Sequence, residues 1–529
     1  MHSSSVEHGF ATSTSSRTVR CIVNSAAASL PNLRRLDFLR RYVPAAVCAI
    51  VFLVLLCIPL KIMTYGCRPP DDSLCRAAKA VSGKDWSQIL VLNGSYQIDH
   101  EFGWSLLLQK IHQWFGAGTG SLLLFEIIAL NLLAVLSALP WLKRPEAWLV
   151  TLSAIGLMNP INPRFLLGRA YLVTMAAGIC VLFLWQTHSS ERPRKWMVFL
   201  LAALVALSTY VHGAWYFWLL PIAAFFAAGQ WRWGAMFLLS AAVGVFVGSL
   251  LTGHPIGYPL QAVHLAFMAI GEHQAMRTLA TELRPFSGDI QAMGLFCGLV
   301  VMRRVTGINR VPITRDPACW LAFIGWVLGF KATRFWDDWG WTGLMVWMAG
   351  DAQALLERRF AANSFARLGL VCWLAAITYA VSTNDAAGRW SNDVAQYSIT
   401  VKDKSKSDLS GWMPGDHGIL YSAERRVFYH TFFDNPTANW RYIAGFEPTL
   451  MPDDDFKVYN AARLGAPPSA AYEPWVAKMR PEDRLVIQGL ASQPDIPKLE
   501  WKLTPDGLWI GRLPRTNAAP AASSGNPNP

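Results

Sequence analysis

A polar segment with two acidic clusters follows the first apolar stretch of the chain, at residues 70–116. Acidic side chains beside a bilayer are costly unless they are paired or serve a function. The first cluster, Asp71 and Asp72, lies at the predicted water boundary, where a partly desolvated carboxylate can take the proton of an acceptor hydroxyl. Both residues are candidate general bases. The structural alternative is that they begin a helix and cap the amides of SLCRAAKAV.

Three arginines are candidates for binding a lipid phosphate. Arg164 and Arg169 lie in NPRFLLGRAYLVTMA and Arg334 lies in TRFWDDWG. Both turns are predicted to face outward, against the usual preference of basic residues. A guanidinium group can donate two parallel hydrogen bonds to phosphate oxygens. Contact with lipid headgroups, or pairing with Asp337 and Asp338, is the alternative.

Three further polar residues are candidates for substrate binding. Asp99 and His100 belong to the second acidic cluster, and His212 lies in STYVHGAWYFW, where two apolar stretches meet on the predicted outer side. A single histidine in such a setting is at least as often a residue of a helix end as a residue of a site. Both interpretations of His212 stay open at the level of sequence.

The composition shows which kind of protein positions these residues. Of the 529 residues, 53% are hydrophobic and 16% are charged, whereas a soluble protein carries roughly 25% charged residues. Apolar stretches near the length needed to cross a bilayer occupy 42–63, 120–142, 168–185, 233–251 and 365–382, and shorter ones occupy 148–158, 196–211, 213–228, 290–302, 318–330 and 339–356. This pattern predicts a polytopic α-helical membrane protein with about 11 transmembrane helices, within a range of ten to thirteen.

Basic residues predict the orientation, because short basic connections stay on the cytoplasmic side. They precede the first span and follow every second one, near residues 34–41, 143–144, 192–195, 303–315 and 358–367. The acidic loop, the turns with the arginine candidates and everything after residue 382 then face outward. This pattern accounts for much of the net charge of +12, so no nucleic-acid partner is predicted.

The chain divides into four predicted regions. Residues 1–41 form a cytoplasmic, largely disordered basic tail without the early apolar segment of a cleaved signal peptide. Residues 42–383 form the transmembrane domain, with the outer loop at 64–119. Residues 384–515 form an extracytoplasmic soluble domain of mixed α/β or mostly β structure, with strand-like pieces GILYSAERRVFYHTFF, RLVIQGL and LEWKL. Residues 516–529 form a disordered tail.

Polar residues of the soluble domain are predicted to be structural. Asp416, His417, His430 and Asp434 are isolated among turn signals. The aromatic segment YHTFFDNPTANWRYIAGFEP favours a small core or a docking face, and a platform for a sugar stays open.

The cysteines predict a disulfide more readily than a metal site. Cys67 and Cys75 both fall in the outer loop and could pair. No third or fourth ligand follows at the spacing of a zinc site. The outer loops contain acids and histidines without a specific ligand pattern, which leaves a divalent cation as an open cofactor.

Two amphipathic stretches predict helices that lie flat at the outer interface and border a lateral groove. Apolar residues share one helical face in each stretch. They are Trp104, Leu107, Leu108, Ile111 and Phe115 in the first, and Leu260, Val263, Phe267 and Ile270 in the second. Packing inside any polytopic protein is the alternative.

The first outer loop resembles that of the GT-C superfamily of multi-pass glycosyltransferases. PDDSLCRAAKAVSGKDW followed by IDHEFGWSLLLQKIHQWFG is similar to the family's acidic pair, small-residue helix, aromatic turn and membrane-surface helix, over mainly the first 180 residues. The resemblance implies a polyprenyl-phosphate-linked sugar donor, with Asp71 or Asp72 as the base and His100 at the start of the surface helix. RFWDDWG is similar to an outer motif of oligosaccharyltransferases but lacks the full motif, so that function is not implied.

The expected function is inverting sugar transfer to an extracytoplasmic acceptor in a bacterial inner membrane. The acceptor would be a glycolipid, a polysaccharide or a protein of the cell envelope. The alternatives are a transporter or flippase for a lipid-linked saccharide, and a noncatalytic assembly subunit of a polysaccharide system. The sugar, the acceptor, the lipid chain and the oligomeric state are not predicted.

Overall fold

The computed structural model describes residues 31–63, 72–94, 96–158, 165, 168–271, 284–286, 288–308, 310–381, 409, 411–464, 468–490, 492–505 and 507–514. Three of the candidate residues, Cys67, Asp71 and Arg164, lie outside these ranges, as do most of the first tail and all of the last.

In the described part of the chain before residue 382, the regular elements are helices, apart from a single β-bridge at Leu90. Its helices are α1 (Pro31–Met63), α2 (Asp72–Ser82), α3 (Trp86–Ile89), α4 (Phe102–Phe115), α5 (Thr119–Leu136), α6 (Glu146–Met158), α7 (Tyr171–His188), α8 (Lys195–Val211), α9 (Leu219–Ala227), α10 (Trp231–Leu251), α11 (Gly257–Gly271), α12 (Ile290–Thr306), α13 (Pro317–Gly329), α14 (Trp341–Arg359) and α15 (Phe365–Val381). Short 3₁₀ turns at Leu139–Trp141, Trp215–Trp218 and Ile313–Arg315 and a π-helical turn at Phe335–Gly340 connect them.

Four of these segments are long and apolar enough to cross a membrane, judged by length and composition: Leu39–Leu60, Thr119–Trp141, Tyr171–His188 and Trp231–Leu251. Each of the other predicted stretches coincides with a helix, but the count of about 11 spans is not confirmed. A helix of 13 residues such as α13 is about 20 Å long at 1.5 Å per residue, well short of the roughly 30 Å of a hydrocarbon core.

The helices predicted at the interface form, but their apolar faces are divided. In α4, Trp104 and Leu108 are buried, whereas Phe115 in the last turn is 77% exposed. In α11, Tyr258 is buried while Leu260 and Phe267 are exposed. Each helix therefore packs part of its apolar surface on the protein and leaves part of it uncovered.

The C-terminal domain contains helices and one mixed sheet. Its strands are β1 (Ile419–Tyr421), β2 (Arg441–Tyr442), β3 (Arg484–Gln488), β4 (Glu500–Leu503) and β5 (Leu508–Arg512), and its helices are α16 (Arg425–Asp434), α17 (Asp453–Leu464), α18 (Pro468–Ala471) and α19 (Glu473–Lys478). The strand order is β2-β1-β3-β5-β4. β1 runs parallel to β2 and β3, and β5 runs antiparallel to β3 and β4.

One predicted strand is in fact mostly a helix. Of GILYSAERRVFYHTFF, only Ile419–Tyr421 is a strand, and α16 begins at Arg425. The Glu424 side chain accepts the amide N–H of Arg426 and caps the helix. Phe428 and Phe432 lie four residues apart and stack with ring centroids 5.7 Å apart, a contact that a helix provides and a strand does not. RLVIQGL and LEWKL form β3 and β4 as predicted.

The C-terminal domain packs directly on the first outer loop. The backbone of Leu90 pairs in parallel with Tyr442 in the edge strand β2, and the Asn93 amide group donates to the carbonyl oxygen of Thr449 at 3.0 Å. Lys84 donates to the carbonyl oxygen of Ala438 at 2.5 Å. The loop thus extends the sheet and covers its edge, so the two regions behave as one packed unit.

Several predicted cytoplasmic loops contact one another. Arg144 donates to the carbonyl oxygen of Phe360 at 2.9 Å, and Arg358 donates to that of Gly307 at the same distance. Gln230, in the connection between α9 and α10, donates to the carbonyl oxygen of Arg315 at 3.1 Å. The connections that contain these residues therefore lie close together.

Candidate active site

The segment that carries Asp72 is anchored by a buried arginine. Arg76 in α2 donates to Glu101 at 2.7 Å, to Glu126 at 2.5 Å and to the carbonyl oxygen of Gly168 at 2.9 Å. Burial by itself would lower the pKa of the Arg76 guanidinium, but Glu101 and Glu126 raise it well above its ordinary value. This one side chain joins α2 to the start of α4, to α5 and to the turn before Arg169.

Asp72 is the first residue of α2 and is half-buried. Its Oδ1 accepts the hydroxyl of Tyr429 at 2.6 Å, so a helix of the C-terminal domain holds the carboxylate. Its carbonyl oxygen accepts the thiol of Cys75 at 2.9 Å. Asp72 therefore does begin a helix, as the structural alternative expected, and it also faces a cavity.

That cavity has a volume of about 140 Å³ and lies between helix ends and the C-terminal domain. It brings together residues that are far apart in the chain. Its walls include the predicted candidates Asp72, His100, Arg169, His212 and Arg334, together with Tyr96, Glu101, Tyr171, Tyr216, Phe446 and Glu447. We call this space the reaction cavity.

The two histidines belong to segments that are bonded to each other. The carbonyl oxygen of His100 accepts the amide N–H of Gly213 at 2.7 Å and the hydroxyl of Tyr258 at 2.9 Å. The His100 ring contacts the hydroxyl of Tyr96 through Nδ1 at 3.1 Å. His212 directly follows α8, so it both ends a helix and lines the cavity.

Arg334 is held in place from two directions. Its Nε donates to Asp338 Oδ2 at 3.2 Å, one turn further along. Its guanidinium lies 5.1 Å from the centre of the Phe217 ring. The predicted alternative, pairing with the acidic turn, is thus present through Asp338, and it leaves the arginine at the cavity wall.

Arg169 follows a glycine that the site requires. Gly168 has φ +61°, and a Cβ there would lie 2.8 Å from Cγ1 of Ile127 in α5. Only a glycine accepts this conformation at so close an approach without strain. The turn places the carbonyl oxygen of Gly168 at Arg76 and the side chain of Arg169 at the cavity.

Asp99 does not line the reaction cavity. Its carboxylate accepts Lys79 Nζ at 2.7 Å, the Ser105 hydroxyl at 2.8 Å and the amide N–H of Glu101 at 3.0 Å. Burial by itself would raise the pKa of Asp99, but Lys79, His100 and these hydrogen bonds lower it below its ordinary value. Asp99 is an ionised residue that holds the loop beside the cavity.

The remaining candidates stay predictions. Asp71 and Arg164 lie outside the described residues. The Cys75 thiol is buried, and its predicted partner Cys67 also lies outside the described residues. Within the described ranges, no group of three or more His, Cys, Asp or Glu residues could hold a metal ion.

The C-terminal domain supplies site residues that the sequence did not single out. Tyr429, Phe446 and Glu447 all fall in the aromatic segment for which a docking face and a sugar platform were the alternatives, and this was the available signal. Glu101 and Arg76 were also missed, although an acid in a predicted span, Glu126, pointed to a buried partner. Among the described wall residues, none of the four isolated polar residues of the soluble domain appears, and His430 is fully buried.

Comparison with known proteins finds similarity of structure and none of sequence. No protein-family model matches the chain, and no curated protein matches it. One solved structure to which it is similar is the oligosaccharyltransferase of Archaeoglobus fulgidus, crystallised with a tethered acceptor peptide that contains an NVT sequon. The TM-score is 0.47 and the identity 11%, over 84% of this chain and 69% of that chain. A match at this identity and TM-score says nothing about the activity, donor or acceptor of this chain.

Proposed function

We propose that this protein is a membrane glycosyltransferase that moves a sugar from a polyprenyl-phosphate donor to an acceptor on the outer side of the membrane. The observation that carries the proposal is the reaction cavity, whose wall includes Asp72 together with the arginines Arg169 and Arg334. Sugar transfer from a lipid phosphate needs a base that takes the proton of the acceptor hydroxyl, and cations that bind the phosphate as it leaves. Both are present in one space.

Asp72 is the proposed base. It takes the proton of the acceptor hydroxyl, whose oxygen forms a bond to the anomeric carbon of the donor sugar. The bond between that carbon and the phosphate oxygen breaks, and the electron pair leaves with the lipid phosphate. Attack from the side opposite the phosphate inverts the anomeric centre. The hydroxyl of Tyr429 on Oδ1 fixes the orientation of the carboxylate during this step.

Arg169 and Arg334 are the proposed phosphate-binding residues. Negative charge grows on the phosphate as the sugar leaves, and guanidinium groups placed there in advance stabilise it without reorganisation. Asp338 and Phe217 already orient Arg334. An arginine held in this way loses less entropy on binding an anion than a mobile side chain does.

The lipid tail of the donor has an apolar path to the cavity. Ala262, Leu265 and Ala266 of α11 form part of the cavity wall, while Leu260 and Phe267 of the same helix are 64% and 70% exposed. A helix with this division suits an interfacial position. The polyprenyl chain would lie along α11 in the bilayer while the phosphate reaches the arginines.

The test is transfer of labelled sugar from a pool of polyprenyl-phosphate donors by the purified protein. Asp72→Asn should lose transfer by about 100-fold or more, as expected when a general base is removed, and should elute unchanged on sizing. Asp454→Asn is the matched control, because this carboxylate is 92% exposed on the C-terminal domain. Asp71→Asn, measured separately, shows which acid of the pair is the base.

Other outcomes would assign a different function. Full turnover by both single variants and by the double variant excludes the acidic pair as the base. Donor binding without transfer by the wild type favours a transporter, if lipid-linked saccharide crosses vesicle membranes, or a noncatalytic assembly subunit, if it does not. We place the enzyme in a bacterial inner membrane, with the C-terminal domain outside and a cell-envelope acceptor.

A further inference from the structure

A second, larger cavity lies next to the reaction cavity. Its volume is about 330 Å³, and it is lined by the end of α2, the following turn with α3, the segment 96–99 and one face of α4. The side chains at its walls are mainly polar and include Lys79, Ser87, Asp99, Ser105 and Gln109, beside Trp86. None of these six residues lines the reaction cavity.

The two cavities share one wall. Tyr96 lines both, and its hydroxyl contacts Nδ1 of His100, a residue of the reaction cavity, at 3.1 Å. The pair therefore stands between the two spaces. A ligand in the second cavity that extends past Tyr96 would meet the reacting groups.

Size indicates that the reaction cavity does not hold a whole acceptor. Pockets that bury most of a small ligand have volumes of roughly 300–1,000 Å³. The reaction cavity, at about 140 Å³, holds reacting groups, whereas the second cavity, at about 330 Å³, lies within that range. The body of the acceptor thus has a place to bind beside the site of transfer.

The chemistry of the second cavity favours a ligand rich in hydroxyl groups over an anion. Lys79 is paired with the ionised Asp99, and Lys84 donates to a backbone carbonyl oxygen of the C-terminal domain, so both ammonium groups are engaged. Ser87 and Gln109 offer a hydroxyl and an amide that can donate and accept. The phosphate-binding arginines lie in the other cavity, which separates donor from acceptor.

We propose that the second cavity is the binding subsite for the saccharide part of the acceptor, with Gln109 as a recognition residue. The role of this subsite in transfer rests on the proposed function, whereas its ability to bind a saccharide rests on the cavity alone. The acceptor sugar would lie over α4 and pass its reacting hydroxyl beyond Tyr96 to Asp72.

Binding is tested without any turnover, by saturation-transfer difference NMR on the purified wild-type protein with a panel of methyl hexosides and hexosaminides. Gln109→Leu should weaken binding by about two- to ten-fold, the value of one neutral hydrogen bond. Gln113→Leu is the matched control, because it makes the same change one turn later, at an exposed residue that does not line the second cavity. The subsite assignment is overturned if the wild type binds no glycoside, or if Gln109→Leu and Gln113→Leu bind glycosides equally well.

Measurement of sugar transfer tests the role of the second cavity in the reaction. With labelled donor, Gln109→Leu should raise the acceptor KM while release of the donor sugar to water stays at the wild-type rate. A wild type that binds glycosides and neither transfers nor hydrolyses donor refutes the glycosyltransferase and keeps the subsite. An active wild type whose acceptor KM is unchanged by Gln109→Leu refutes the subsite and keeps the enzyme.

Discussion

Asp72 is held by a residue 357 positions away in the chain, Tyr429. A hydrogen bond to a charged group contributes about 1.5–3 kcal/mol. Here it also fixes the rotamer of the carboxylate that lines the reaction cavity. The tyrosine does not line the reaction cavity, so in the proposed reaction it would act through Asp72 as a positioning residue.

Tyr429→Phe should therefore lower kcat by about ten-fold, equivalent to about 1.4 kcal/mol of lost orientation, with little change in the donor KM. The phenyl ring keeps its packing while the bond to Asp72 is removed. Tyr421→Phe is the control, because Tyr421 is a buried tyrosine of β1 in the same domain. Equal loss in both variants, or a rise in KM without change in kcat, would contradict the positioning role. Steady-state transfer kinetics measure both constants.

At the scale of elements, short buried bonds hold the loops around the cavity. Arg76 connects α2, α4 and α5, and Lys79 connects α2 to Asp99. Removing one partner of such a buried pair leaves an uncompensated buried charge, which is strongly destabilising. These pairs fix the relative positions of helices that carry Asp72 and His100, which preorganises the site.

The contact between Gly213 and the segment of His100 is a second such element. A Cβ at Gly213 would lie 2.8 Å from the Tyr258 hydroxyl and 3.0 Å from the carbonyl oxygen of His100. Gly213→Ala must push these groups apart, at a cost of about 1–3 kcal/mol. Both cavity histidines would move with them.

We expect Gly213→Ala to lower the melting temperature in detergent and to reduce transfer. Gly94→Ala is the control, because a Cβ there meets no atom within 4 Å. Thermal unfolding and transfer are measured on the same preparations. Wild-type stability and activity of Gly213→Ala would show that the close contact does not hold the site.

At the scale of the whole molecule, the C-terminal domain and the first outer loop share a core and a sheet edge. Leu90 pairs with β2, and Trp86 packs on Phe446 with ring centroids 4.7 Å apart. Two regions joined in this way lie on the same side of a membrane. The basic loops that contact one another are predicted to lie on the opposite side.

Cysteine labelling in intact cells tests this arrangement. Asp454→Cys should react with a membrane-impermeant maleimide, whereas Ser190→Cys, beside the basic residues 192–195, should react only after the membrane is opened. Both positions are exposed, so access to reagent decides the result. The wild type, with nine native cysteines, gives the background. Labelling of Ser190→Cys in intact cells would show that this connection lies outside and that the predicted topology is wrong.

The sequence by itself determined the class of protein, the places of most helices and several of the residues that line the reaction cavity. Hydropathy and charge are local properties, so they predict apolar helices and the distribution of Lys and Arg directly. Asp72, His100, Arg169, His212 and Arg334 could be chosen because polar side chains near the ends of apolar stretches are unusual. The number of spans could not be counted from the sequence, because short apolar helices do not reach the length of about 20 residues that is needed to cross a bilayer.

Only the tertiary structure decided which of these residues meet and what completes the site. Tyr429, Phe446 and Glu447 come from a domain whose sequence, taken locally, also suggested a strand where α16 forms. Helix α16 is stabilised by packing on the outer loop, a long-range contact that no local pattern contains. Asp99 was likewise placed outside the cavity by Lys79 and Ser105, partners that the sequence does not show to be close in space.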